Sequence, residues 1–480
     1  MEGCMRFSLV FIIILAAIAQ NCRSTVDEQI RSVETHLMPP VVLKGLPVPQ
    51  YTIEERMSAL HVHGVSIVVI RNYEINWAKG YGFADIELKQ KVTANTLFQA
   101  GSISKPVAAV GAMTLVEQGK LKLDDDVNSY LKEWKVPENE FTKQQKVTLR
   151  RLLSHTAGLT VHGFPGYEVS APVPTVLEVL DGKKPANTAA IRVDILPGTQ
   201  YRYSGGGYTV AQLMMTEVVG KPFAEFMHQA VLEKAGMGHS TYKQPLPARL
   251  TSVAASGYRS NGNAVPGKYH TYPEMAAAGL WTTPSDLARF AIEIQKSREG
   301  RSNIILKQAT VEEILHEEKQ GYGLGFSLPV NNGTKEFGHG GANDGFQALM
   351  SATFDGQGFV VMTNSGNGSQ LAGEIALSMA ATYGWPYEPR EREAISLSAE
   401  DLAKFAGEYD AVQIGRVKVM LIENHLELSF PVRGNIELYP ESADVFFSLI
   451  SDMPDLRFSK DESGSVTSFT LGSITAKRVK

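Results

Sequence analysis

Phe98-Gln99-Ala100-Gly101-Ser102-Ile103-Ser104-Lys105-Pro106 is the stretch around which the 480-residue chain is organised. It sets Ser102 and Lys105 three residues apart at the start of an amphipathic helix, so both project from one face, one turn apart. A serine hydroxyl is a weak nucleophile until a base takes its proton. A lysine is that base only when neutral, with its pKa lowered from about 10.4 towards 7 by burial and neighbouring charge, a shift of about 4 kcal/mol. The free N–H groups of a helix start favour a developing oxyanion, and Pro106 suits a first turn, where a missing N–H costs least. By itself, the Ser-x-x-Lys spacing is a weak signal that more often marks a helix start with a surface lysine, so other segments decide between the two.

The predicted helix runs through Val107, Val110, Met113 and Leu115 to Gly119. It has few polar positions, which predicts burial at the domain centre and a desolvated Lys105. Upstream, Val26–Leu37 and Ile53–His61 read as helices. Gly64–Ile70 is a β-branched run followed by a tight polar turn and a second strand, Ile75–Phe83, which together predict a hairpin. Downstream, Thr148–Leu159 begins as a helix and breaks at Gly158, with His155 expected to satisfy helix-end carbonyls. Residues 161–197 are loose and proline-rich, include Phe164 and Tyr167, and suit a lid or pocket wall. A tyrosine held on the glycine-rich turn Tyr201–Tyr208 is placed to reach into a cleft, ahead of a helix to about Val219. Thr283 or Ser285 caps a further helix. In Phe337–Phe346, the small residues Gly340, Gly341 and Ala342 after His339 let a strand backbone approach a ligand closely. Paired strands, Gln347–Thr353 and Gly358–Thr363, and a helix over about 369–383 follow.

Hydrophobic residues are 43% and charged residues 20%, within the range of globular proteins. A net charge of -5 and the lack of a long basic run argue against nucleic-acid binding. No internal repeat is present. Both cysteines, Cys4 and Cys22, fall in an N-terminal leader in which Arg6 precedes the apolar run Phe7–Ala19 and Ala17-Ile18-Ala19 offers a cleavage site. The leader is read as a signal peptide over 1–22, giving an exported, periplasmic or secreted protein; the alternative is an uncleaved membrane anchor. Trp385-Pro386-Tyr387-Glu388-Pro389-Arg390 marks a boundary between a domain over 23–390 and one over 391–480. In the latter, alternation at Val417, Val419, Leu421 and at Leu426, Leu428, Phe430 predicts small antiparallel β structure.

Three stretches together resemble the serine β-lactamase and penicillin-binding-protein superfamily, and more narrowly its class C-like branch with family VIII carboxylesterases, D-aminopeptidases and DD-peptidases. Ser102-Ile103-Ser104-Lys105 matches the nucleophile motif. Tyr203-Ser204-Gly205 stands where the branch has Tyr-x-Asn. His339-Gly340-Gly341 stands where β-lactamases have Lys-Thr-Gly and many esterase-like relatives have His-x-Gly. The resemblance covers about residues 50–385 and implies an α/β (α+β) fold: an antiparallel sheet flanked by helices, with a helical subdomain inserted between the Ser102 helix and the His339 strand. The tail resembles the lipocalin-like β domains appended to some of these hydrolases. The implied catalytic residues are Ser102 as nucleophile, with Lys105 and Tyr203 sharing the proton work, either being the base. His339, Gly340, Gly341 and Ala342 would form the substrate-binding and oxyanion strand, the oxyanion held by the N–H groups of Ser102 and Ala342.

Two departures bear on substrate. Gly205 replaces the asparagine whose amide meets a substrate amide. His339 replaces a lysine, and an unperturbed histidine is only roughly a quarter protonated at pH 7. Both point away from an efficient β-lactamase. The leading expectation is an exported serine hydrolase for small-molecule esters or peptides. A cell-wall D-alanyl-D-alanine carboxypeptidase or β-lactamase, with the cell-wall proximity that export suits, is the second. A non-catalytic acyl sensor is the third. No metal or organic cofactor is implied.

Overall fold

The structure, a computed structural model, describes residues 25–411, 414–430, 434–450 and 453–479. The leader, with Cys4 and Cys22, lies outside the described residues. The chain divides into two compact units, Met57–Ala372 and Met1–Arg56 with Gly373–Lys480.

The first unit is built on a seven-stranded antiparallel sheet. Its order is Gln90–Lys91, Glu74–Asp85, Gly64–Arg71, Gly358–Thr363, Phe346–Thr353, Thr334–Asn343 and Val330–Asn331. Gly64–Ile70 is buried at every position, as befits a central strand covered on both faces. The expected hairpin forms through Asn72 and Tyr73, both in the left-handed region (φ 52° and 65°), as a tight hairpin turn requires. The seam of the sheet joins distant parts of the chain, pairing Val361 with Ile67 and Phe359 with Val69. The helix Pro284–Arg298 packs on this sheet. It is capped by Thr283, whose hydroxyl accepts from the Asp286 N–H.

Between the two groups of strands lies the helical portion, which begins at the Ser102 turn. Phe98 and Gln99 pair with Thr282 and Trp281, and the Ala100 N–H donates to the Leu280 carbonyl (2.9 Å). Gly101 then turns the chain with φ 51°. Ser102 therefore stands in a 3-10 turn, Gly101–Ile103, rather than in the helix itself, which is Ser104–Glu117. That helix is buried from Ser104 to Leu115, the burial its composition predicts.

The second unit contains a helix over residues 25–35 and the parallel pair Val41–Leu43 with Arg390–Arg392. Arg56 grips Glu374 through two hydrogen bonds of 2.7 Å. The tail is an eight-stranded closed antiparallel barrel, Gly407–Ala411 through Ile474–Arg478. Its interior is filled by Phe405, Tyr409, Phe446, Phe458 and Phe469, with ring centroids 4.7–6.1 Å apart. The alternating tail thus becomes a packed barrel.

Candidate active site

The buried Ser104–Glu117 helix carries Lys105 inward, where the side chain is 2% exposed. Its amine Nζ lies 2.9 Å from Ser102 Oγ and donates to the Ala277 carbonyl at 2.8 Å. Burial alone pushes the Lys105 pKa down, from 10.5 to about 7. At neutral pH roughly half of the molecules then hold a free amine lone pair beside the serine hydroxyl. Ser104 locks the turn: its Oγ donates to the Gly101 carbonyl (2.6 Å) and accepts from the Leu280 N–H (3.0 Å).

Tyr203 reaches the same place from the segment before the Gly205–Val219 helix. Ser204 caps that helix, accepting from the Gly207 N–H (3.1 Å) and donating to the Thr160 carbonyl (2.8 Å). The Lys105 amine lies 4.8 Å from the Tyr203 ring centroid. Burial raises the Tyr203 phenol above its ordinary pKa, and a hydrogen bond with Ser102 opposes that shift. Tyr203 is therefore a protonated phenol at pH 7, in contact with the serine hydroxyl.

The third contribution is the strand Thr334–Asn343. The N–H groups of Glu336 and Gly338 donate to Pro329 and Ser327, on the edge away from the strand Phe346–Thr353. Alternation puts the N–H groups of Gly340 and Ala342 on that same edge, where the Ser102 turn lies in place of a strand. The approach is close enough to exclude side chains. A Cβ at Gly101 would sit 2.5 Å from the Ala342 nitrogen, and one at Gly341 would sit 2.0 Å from the Ala100 carbonyl oxygen. The Ser102 N–H, at the start of its turn, has no acceptor behind it within the turn. The Ala342 N–H edge and the Ser102 turn thus lie against each other. Gly341→Ala is expected to push the strand off the turn, costing about 1–3 kcal/mol of stability and more than tenfold in turnover. Thermal melting and an ester assay check this; unchanged values in both would show that the close approach is dispensable.

His339 is buried rather than presented to solvent. Its Nδ1–H donates to the Gly340 carbonyl, and its Nε2 accepts from the Tyr322 hydroxyl at 3.0 Å. Burial, then the nearby Lys105, hold its pKa at about 4, so the imidazole is neutral. Its pairing suits it to fixing the strand rather than to holding an anion. The carboxyl of Glu274, at the start of the short Met275–Ala278 helix, is fully buried and pushed up to about 8, hence neutral at pH 7.

Ser102, Lys105, Tyr203 and the His339–Ala342 segment are thus brought together. The sequence did not point to the Ala277 carbonyl, Tyr322 or Asn343. The Asn343 amide donates to Gln99 Oε1 (3.0 Å) and the Ala278 carbonyl (3.1 Å). Tyr322 had one usable signal, the alternating Gly321-Tyr322-Gly323-Leu324-Gly325, which lets a large ring sit among close backbones. His155, expected to satisfy helix-end carbonyls, does something different: its ring Nδ1 accepts the Ser204 N–H (3.1 Å). Among the described residues no cluster of three or more His, Cys, Asp or Glu is placed to hold a metal ion.

The family model described as Beta-lactamase matches residues 50–384, and the chain belongs to that family. A β-lactamase of Pseudomonas fluorescens is 32% identical over 242 residues, covering 50% of this chain and 62% of that protein. Protein flp of Staphylococcus aureus (strain N315) is 26% identical over 238 residues, covering 48% of this chain and 44% of its own. The chain thus spans less than two thirds of either relative. Among solved structures, the octameric penicillin-binding protein homologue from Pyrococcus abyssi superposes with a TM-score of 0.62 at 23% identity, over 88% of this chain and 98% of that one. That likeness establishes the fold.

Proposed function

We propose that this protein is a serine hydrolase that forms an acyl-enzyme on Ser102 and takes uncharged carboxylic esters. The observation that carries the reading is the fully buried Lys105 amine, 2.9 Å from Ser102 Oγ with its pKa near 7. Ser102 Oγ attacks the ester carbonyl while its proton passes to Lys105. The developing oxyanion is held by the N–H groups of Ser102 and Ala342, each such donor being worth about 3–4 kcal/mol of barrier. Tyr203, a phenol at pH 7, gives its proton to the departing alkoxide and is restored from Lys105. Water then attacks the acyl-serine and gives its proton to Lys105, which returns it to Ser102 Oγ as the acyl–oxygen bond breaks and the acid leaves. Of the two candidate bases, the tyrosine is the poorer at neutral pH, because burial keeps its proton on.

Two features favour an uncharged ester. His339 is neutral and offers a substrate carboxylate no fixed cation. Beside Tyr203, a Cβ at Gly205 would sit 2.9 Å from the Phe164 ring and 3.1 Å from the His162 carbonyl oxygen, so that flank has no room for the side-chain amide that would meet a substrate amide. A lost charge-assisted hydrogen bond is worth about 1.5–3 kcal/mol, or roughly 10–100-fold. The purified protein is expected to hydrolyse 4-nitrophenyl acetate with kcat/KM higher by that factor than a D-Ala-D-Ala peptide or a chromogenic cephalosporin. Preference for the peptide would make it a DD-peptidase. An adduct formed once without turnover would make it an acyl sensor.

A further inference from the structure

No step of this hydrolysis uses His155, a residue 2% exposed and in the left-handed backbone region (φ 58°). That conformation is uncommon outside glycine and persists where the surroundings over-determine it. Here the surroundings are the amides on either side of Tyr203. The His155 carbonyl accepts the Arg202 N–H at 2.8 Å, and the His155 Nδ1 accepts the Ser204 N–H at 3.1 Å. Its ring lies 4.2 Å from the Tyr203 ring, tilted by 35°. Residues 201–204 have no helix or strand of their own, so these two bonds anchor the backbone carrying the phenol.

The left-handed turn explains how one residue does both. It brings the carbonyl and the ring of His155 to the same side, so that they meet two amides separated by one residue. Because Nδ1 accepts, the ring proton is on Nε2, which has no partner among the described residues. Burial, then Lys105, His339 and His162, hold the ring well below its ordinary pKa and therefore neutral. It remains an acceptor and adds no charge next to the Lys105 amine.

We propose that His155 is a positioning residue for Tyr203: carbonyl and Nδ1 clamp the amides that flank the tyrosine and so aim its phenol at Ser102. The proposal rests on the Ser102 acyl-enzyme reading, since the aim of the phenol matters only if it moves protons there.

His155→Gly keeps the carbonyl and the left-handed turn and removes the ring alone. It is expected to lower kcat for 4-nitrophenyl acetate about 100-fold, the effect of a misplaced reacting group, with KM little changed. His155→Asn also tolerates the turn and offers Oδ1 where Nδ1 was, and it is expected to recover about tenfold of that loss. In a Tyr203→Phe background, either His155 substitution should cost little further, because residues acting as a unit are non-additive. Losses of equal size in both backgrounds, or a kcat unchanged in His155→Gly, would overturn the proposal. If His155→Gly does not fold, the cycle of His155→Asn with Tyr203→Phe decides on the same criterion of additivity. Fluorophosphonate labelling of the parent protein tests the underlying reading separately. A parent that labels at Ser102 while His155→Gly remains fully active sinks the clamp alone; a parent that never labels sinks both.

Discussion

Ser102→Ala is expected to lower ester turnover by on the order of 10⁴–10⁶-fold, because the proposed acyl-enzyme forms on the Ser102 hydroxyl. What survives should come from the proposed oxyanion N–H groups of residues 102 and 342, which the substitution leaves in place. The fold should be unaffected. Ser102 is half-buried, and its bond partner Lys105 keeps the Ala277 carbonyl, so the stability change is about 1 kcal/mol at most. Rapid-quench turnover with circular dichroism as the folding control checks both halves. Full turnover in this variant would remove Ser102 from the mechanism.

The second large effect couples activity to stability. A fall in the Lys105 pKa from 10.5 to about 7 means that keeping this residue protonated in the fold costs about 5 kcal/mol. Below pH 7 the amine is protonated in both folded and unfolded chains, and the full penalty applies. Between pH 7 and 10.5 the unfolded chain binds the extra proton, so stability rises with pH and the penalty fades. Lys105→Met removes it altogether, while leaving the Ala277 carbonyl unpaired takes back roughly 1–3 kcal/mol. At pH 6 the variant should therefore be about 2–4 kcal/mol more stable than the parent, with the difference vanishing near pH 9 and reversing towards pH 10. Its kcat should fall by roughly 10²–10⁴-fold, the usual contribution of a general base. In the parent, acylation should rise about tenfold per pH unit up to a bend near 7, as the amine loses its proton. Denaturant melts at pH 6 and 9, with a stopped-flow pH profile, test this. A variant less stable than the parent at pH 6, with a flat acylation profile, would show that no buried amine drives the reaction.

What could be read in advance followed from local relations. The Ser102–Lys105 pair is fixed by three-residue spacing, and the burial of its helix by an apolar run with no polar stripe. Gly64–Ile70 and its hairpin were legible for the same reason. Gly101 changed one detail: its left-handed turn puts Ser102 in a 3-10 turn just ahead of the helix. The rest depends on contacts with no sequence-local trace. A backbone carbonyl such as that of Ala277 carries no signature, and Tyr322 meets His339 only because a loop and a strand lie side by side. Nothing in the alternating tail says that its first strand pairs with its last, as Tyr409 does with Arg478. His155 was misassigned because proximity to a helix end is visible in sequence, whereas a φ of 58° is not.

The seam through the middle of the sheet has a consequence for how this protein is made. The strand Gly64–Arg71 leaves the ribosome first, and its partner Gly358–Thr363 follows only after the whole helical portion. At about 5–20 residues per second, that delay is roughly a quarter of a minute to a minute. Throughout it, a row of valines and isoleucines waits with one edge unmatched, an open template for any other nascent chain nearby. Until the partner strand is made, that open edge is a place where the unfinished chain can associate with another.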